Sequence, residues 1–132
     1  MKLLITCEHA ANAIPHQYIY LFKEQKDVLS THEGYDPGAY DLYKYLEPLS
    51  NASYAQDIGR LLIETNRSLH HPKLFSRFSK VLEHSKKSEI IAETIKSHCS
   101  KLILKRLDES ANSYEILFLA TLLIQNLPLI IL

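Results

Sequence analysis

Three short stretches hold most of the residues able to do chemistry. The first is TCEHAANAIP, residues 6–15, where an apolar run ends abruptly in Cys7, Glu8 and His9. The second is HEGYDPGAYD, residues 32–41, with His32, Glu33, Asp36 and Asp41. The third is GRLLIETNRS, residues 59–68, with Arg60, Glu64, Asn66 and Arg67. A histidine closing a strand points into the crevice where α/β proteins bind ligands, and its neutral imidazole is a common zinc ligand. A hydrogen-bonded turn histidine is the competing reading. Asp36 suits a metal ligand, a base, or the cap of the helix behind it, since Asp36-Pro37 matches an N-cap followed by proline at the first helical position. The arginines, with Asn66 beside the second, could grip a carboxylate, because a guanidinium offers paired donors matching its fork. Two surface arginines in salt bridges are the plainer reading, and such bridges contribute little. Cys7 is either a nucleophile near His9 or a buried structural cysteine, and the second fits its place on the strand better.

These residues need elements to hold them. Residues 2–6 read as a short buried strand. Residues 18–23 suit a short helix, and residues 38–46 a longer one with Leu42, Tyr45 and Leu46 on one face. Residues 53–56 read as a second strand. Residues 60–65 read as a third, centred on Leu61-Leu62-Ile63, and residues 66–75 as loop. Strand, helix and strand in alternation predict an α/β domain with a central sheet. From about Lys86 the pattern Ile90, Ile91, Ile95, Leu102, Ile103, Leu104 and Leu107 fits a long amphipathic helix. The end, ILFLATLLIQNLPLIIL, is nearly all apolar and as long as the shortest membrane spans. Gln125, Asn126 and Pro128 favour packing on the sheet instead.

Composition bounds the rest. The 132 residues suffice for one domain, with 46% apolar and 23% charged residues, as in ordinary soluble proteins. Fifteen basic residues balance fifteen acidic ones, so nothing electrostatic favours nucleic acid. Seven histidines favour metal or acid/base chemistry, although His70, His71 and His84 read as loop residues. Two distant cysteines form no disulfide framework, and a cytoplasmic location is the default. The N-terminus lacks the apolar core of a signal peptide.

Taken in order, CEHAANAIP, HEGYDPGA and RLLIETNRSLHHPKLF resemble the N-formylglutamate amidohydrolase family over about residues 3–93. The resemblance implies a branch of the zinc carboxypeptidase and aspartoacylase-type hydrolases: an α/β fold with a mixed sheet flanked by helices (phosphorylase/hydrolase-like). It implies a Zn²⁺-dependent cleavage of N-formyl-L-glutamate to formate and glutamate, a step in histidine degradation. The partner is then a small acyl amino acid, with no nucleic acid and no membrane. By resemblance His9 is the first metal ligand. The wider fold has a ligand glutamate three residues later, where this chain has Asn12. Glu8 and Asp36 remain candidates for the second ligand, with Asp36 preferred and His32 a further suspect. Asn66 and Arg67 match the pair holding the substrate carboxylate, Asn12 joins them as a substrate-binding position, and Arg60 is the catalytic arginine. Ala10 and Ala11 leave room for substrate.

Family members are much longer and carry a further histidine and a later catalytic glutamate that this chain lacks. The resemblance fades near Glu93-Thr94. A single domain truncated at its C-terminal side, with a divergent helical and apolar tail at 94–132 from a shortened or frameshifted gene, is the expectation. Weak zinc binding follows, and so does self-association through the apolar tail. The alternatives are a non-catalytic remnant and a small binding or membrane-associated protein.

Overall fold

The computed structural model describes residues 3–104 and 115–118. Three strands form one sheet in the order β2-β1-β3: β1 is Leu3–Cys7, β2 Ala52–Ala55 and β3 Glu115–Phe118. Both pairings are parallel, with Ile5 opposite Ser53 on one side and Leu117 on the other. The expected mixed sheet is therefore parallel throughout its described strands. Parallel neighbours must be joined by crossovers, because a tight hairpin can only reverse the chain.

Helix α1, Ala39–Leu46, lies in the crossover from β1 to β2, and α2, His84–Leu104, in the crossover from β2 to β3. A 3₁₀ helix, His16–Phe22, stands where the sequence predicts a short helix. Ile5, Cys7 and Tyr43 form a small core cluster, to which Leu46 adds an edge, so α1 covers one face of β1. The alternate residues Thr6 and Glu8 are buried too. Burial on both faces is what a central parallel strand requires, and it explains the unbroken apolar run Leu3-Leu4-Ile5.

The larger cluster joins Tyr18, Leu62, Ile63, Leu74, Leu82 and Ile90. It draws on the 3₁₀ helix, on residues 60–82 and on α2. Residues 60–65, expected to be a strand, are instead a buried turn segment. Its apolar triplet is inside, but its backbone is satisfied by loop partners. The Leu62 amide donates to the Gly59 carbonyl, and the Glu64 amide donates to the Leu74 carbonyl at 2.8 Å. The Leu61 carbonyl accepts from the hydroxyls of Ser76 and Ser79. Burial alone does not make a strand; a ladder partner is needed, and side-chain hydroxyls have taken that place. His84, read as loop, opens α2.

Candidate functional site

The carboxyl end of β1 delivers His9 into a buried cluster of charges. The ring is 3% exposed. Its Nδ1 lies 3.0 Å from Asp36 Oδ2 and its Nε2 lies 2.6 Å from Glu64 Oε1. Arg60 closes the set. Its Nε and one terminal nitrogen donate to Glu64 Oε2 at 2.9 and 2.7 Å, and the other terminal nitrogen reaches Asp36 Oδ1 at 3.5 Å. The backbone amide of Asn66 donates to Glu64 Oε1 at 3.2 Å. Two carboxylates thus face one imidazole and one guanidinium, and with His9 protonated the four charges cancel.

Local structure explains the convergence. The Asp36 amide donates to the His9 carbonyl at 3.2 Å, tying the 31–38 turn to the strand end. Asn12 Nδ2 donates to the Leu29 carbonyl at 2.8 Å, so its amide braces the same two loops. The helix behind Asp36 is capped differently from expectation. Gly38, in the left-handed region at φ 86°, is the N-cap, and no side chain caps the helix. The Asp36 carboxylate is thereby left for His9 and Arg60.

Burial by itself would push the His9 imidazolium down, but the hydrogen bond and charge of Glu64 outweigh it, and its pKa stands above the ordinary value. Burial would likewise raise Glu64, yet bonding to His9 and the charges of His9 and Arg60 hold its carboxyl below the usual range. Both directions describe one ion pair. Cys7 is different. Burial, with Glu8 and Asp36 adding negative charge nearby, pushes its thiol up to about 11. That thiol stays protonated near neutrality, which suits the buried structural reading and removes the nucleophile.

Of the residues singled out by sequence, His9, Asp36 and Arg60 come together, and Asn66 joins through its backbone. Arg67 is exposed and lines a separate cavity with Ile63 and Thr65. His32 is exposed, and Glu33 pairs with Arg77. Glu64, named in the third stretch, is the site residue to which sequence reasoning gave no role. Two signals could have found it: its i,i+4 spacing from Arg60, and its position closing an apolar triplet, as Glu8-His9 closes the first strand. Among the described residues, no group of three or more His, Cys, Asp or Glu side chains is arranged to hold a metal ion. Next to His9 in the chain, the buried Glu8 Oε2 has no hydrogen-bond partner among the described residues.

No family model and no curated protein matches the chain. Among solved structures it is similar to the crystal structure of gene product Atu2144 from Agrobacterium tumefaciens, with a TM-score of 0.65 and 26% identity. The match covers 80% of this chain and 46% of that one, so this chain spans less than half the length of that protein.

Proposed function

We propose that this chain carries the metal-binding corner of an amide hydrolase of the N-formylglutamate amidohydrolase type, with a zinc-carboxypeptidase-like fold. The observation carrying this is the buried imidazole of His9 between two carboxylates at the carboxyl end of a central parallel strand, where α/β folds present their ligand sites.

The donor types, one imidazole nitrogen and carboxylate oxygens, are those zinc takes, although among the described residues no three of them are arranged around one point. His9 and Asp36 are the residues that would hold it. Glu64 is already saturated, taking four donors on its two oxygens, whereas Asp36 takes one short bond and one long one. Glu64 therefore orients: by accepting the Nε2 proton it turns Nδ1 toward Asp36, the arrangement that lets an outer carboxylate set the tautomer of a metal-binding histidine. Arg60, partly buried, pairs with both carboxylates and is the cation of the cluster proposed to face negative charge developing on the substrate. When bound, zinc would supply Lewis acidity and a water acidic enough to attack an amide near neutral pH. The substrate is a small acyl amino acid, and Asn66 and Asn12, on the loops around His9, are the positions proposed to meet it, whereas Arg67 lines a separate cavity. The activity, the substrate and a cytoplasmic setting are all part of this proposal.

Zinc content after dialysis, and formate release from N-formyl-L-glutamate with and without added zinc, test the reading. Weakly held zinc and zinc-dependent turnover that is lost in His9→Ala are expected. Absence of any zinc-dependent change in His9 ring resonances or turnover overturns it. One observation favours a second reading, a non-catalytic remnant: both ring nitrogens are spent on carboxylates and the cluster is already neutral. Stable folding with no metal response would select it. Among the described residues no helix is long and apolar enough to cross a membrane. Tightly held stoichiometric zinc would mean a ligand beyond those named.

A further inference from the structure

A second recess lies between residues 63–74 and α2. Its volume is about 280 Å³, and none of His9, Asp36, Arg60 and Glu64 lines it. Its walls are Ile63, Leu69, Leu74, Ile91 and Ile95, with Thr65, Thr94 and Arg67 among them. The hydroxyls of Thr65 and Thr94 are buried, so the surface on offer is aliphatic. Leu69 is 52% exposed and Ile95 46%, which leaves much of that surface open.

Parallel pairing brings the end of β3 close to the recess. Phe118 stands opposite Thr6, so residue 119 leaves the sheet at its carboxyl end, one strand spacing of about 4.8 Å from β1. Glu64 lies at that same end, 2.6 Å from the His9 ring, and its neighbours Ile63 and Thr65 line the recess. The residues that follow β3 are fourteen, 119–132, nine of them leucine or isoleucine and none with a charged side chain. Such a run gains by leaving water for any apolar surface within reach. Fourteen residues span up to about 46 Å when extended, so chain length is no obstacle. A short tether also holds a segment near its site at an effective concentration on the order of millimolar, which favours this segment over one from another copy.

We propose that residues 119–132 fold back into this recess, laying leucine and isoleucine side chains against Ile63, Leu69, Leu74, Ile91 and Ile95. The apolar end of the chain then closes the apolar surface beside α2 within one molecule. The proposal does not depend on the hydrolase reading.

Amide hydrogen exchange read by mass spectrometry on the full chain tests it. Peptides from residues 119–132 should be protected. Leu69→Asp and Ile95→Asp each place a charge on an exposed part of the wall and should speed their exchange about tenfold or more. Val81→Asp, at a position 71% exposed and outside the recess, should leave it unchanged. A second measurement needs no change to the wall. Ser68 is exposed and adjoins Arg67 and Leu69, so a nitroxide on Ser68→Cys, with Cys99→Ser, should broaden the amides of residues 119–132 in the same chain. Free exchange of these residues in the parent chain overturns the proposal, as does equal exchange in all three aspartate variants. Absence of broadening overturns it too. So does broadening seen only when labelled and unlabelled chains are mixed, because a second copy then fills the recess.

Discussion

At the scale of the residue, His9 and Glu64 define how the metal-free chain responds to pH. The folded pKa of His9 lies above its ordinary value of 6.5, so its contribution to stability is full below 6.5 and is lost as pH rises through the raised value. The folded pKa of Glu64 lies below 4.5, so its contribution is full above 4.5 and is lost as pH falls through the lowered value. The pair therefore contributes most in mildly acidic solution, between those two ordinary values. Urea midpoints measured across pH should peak there and decline toward alkaline pH. Glu64→Gln should flatten the alkaline decline, and an unchanged profile would mean that the pair does not govern it. Glu64→Ala also takes the acceptor from His9 Nε2 and leaves Arg60 only its longer contact to Asp36, and a loss of about 3 kcal/mol is expected, as for one partner removed from a buried pair. Cys7 gives a second test. With its thiol raised to about 11 and 1% exposed, it should resist iodoacetamide in the native chain and react only on unfolding. Peptide mass spectrometry resolves it from Cys99; rapid native labelling of Cys7 would contradict the burial.

At the scale of the element, the site depends on turns that the helices and strands do not supply. The 31–38 turn carries Asp36, and Gly34 lets it pass close to Leu29. A Cβ at Gly34 would collide with the Leu29 carbonyl, which is rigid backbone. Gly34→Ala should destabilise by about 1–3 kcal/mol, the cost of overpacking, and should move the His9 ring resonances, because Asp36 is displaced with the turn. A neutral outcome in urea denaturation would show that the turn yields. Gly38→Ala meets no atom within 4 Å, so its smaller penalty would come from the positive φ alone. Phe22, 0% exposed and packed on Phe78 with ring centroids 4.9 Å apart, anchors the 3₁₀ helix. Phe22→Ala should cost about 3–5 kcal/mol in the same assay.

At the scale of the whole molecule, β1 is paired on both sides, by β2 and by β3. The third strand comes from the stretch that sequence reasoning expected to pack on the sheet, and residues 115–118 do so as a parallel strand. The remainder of that expectation, including Gln125, Asn126 and Pro128, lies outside the described residues, as does Leu107. A chain ending at residue 110 would leave β1 as an open edge with unpaired amides, a surface prone to pairing with other chains. Light scattering should show it more oligomeric than the full chain; a monomeric, equally stable fragment would mean that β3 adds little.

What the sequence determined by itself was local. Leu3-Leu4-Ile5 specified a buried strand, the spacing in residues 38–46 and from about Lys86 onward specified helices, and an apolar run ending in His9 marked a place for chemistry. Each follows from short-range rules of period and propensity. Tertiary structure decided three further things. Residues 60–65 are as apolar as a strand, yet Ser76, Ser79 and Leu74 take their backbone bonds, and no periodicity reports such distant partners. Asp36 reads equally as a ligand, a base or a helix cap, and only the structure shows Gly38 at the N-cap and the Asp36 carboxylate on His9 and Arg60. Glu64 reads as one charge beside Arg60, and only the fold brings it across 55 positions of sequence to the His9 ring. Long-range electrostatics in a buried site depends on which charges share the cavity, and the order of residues along the chain does not specify that.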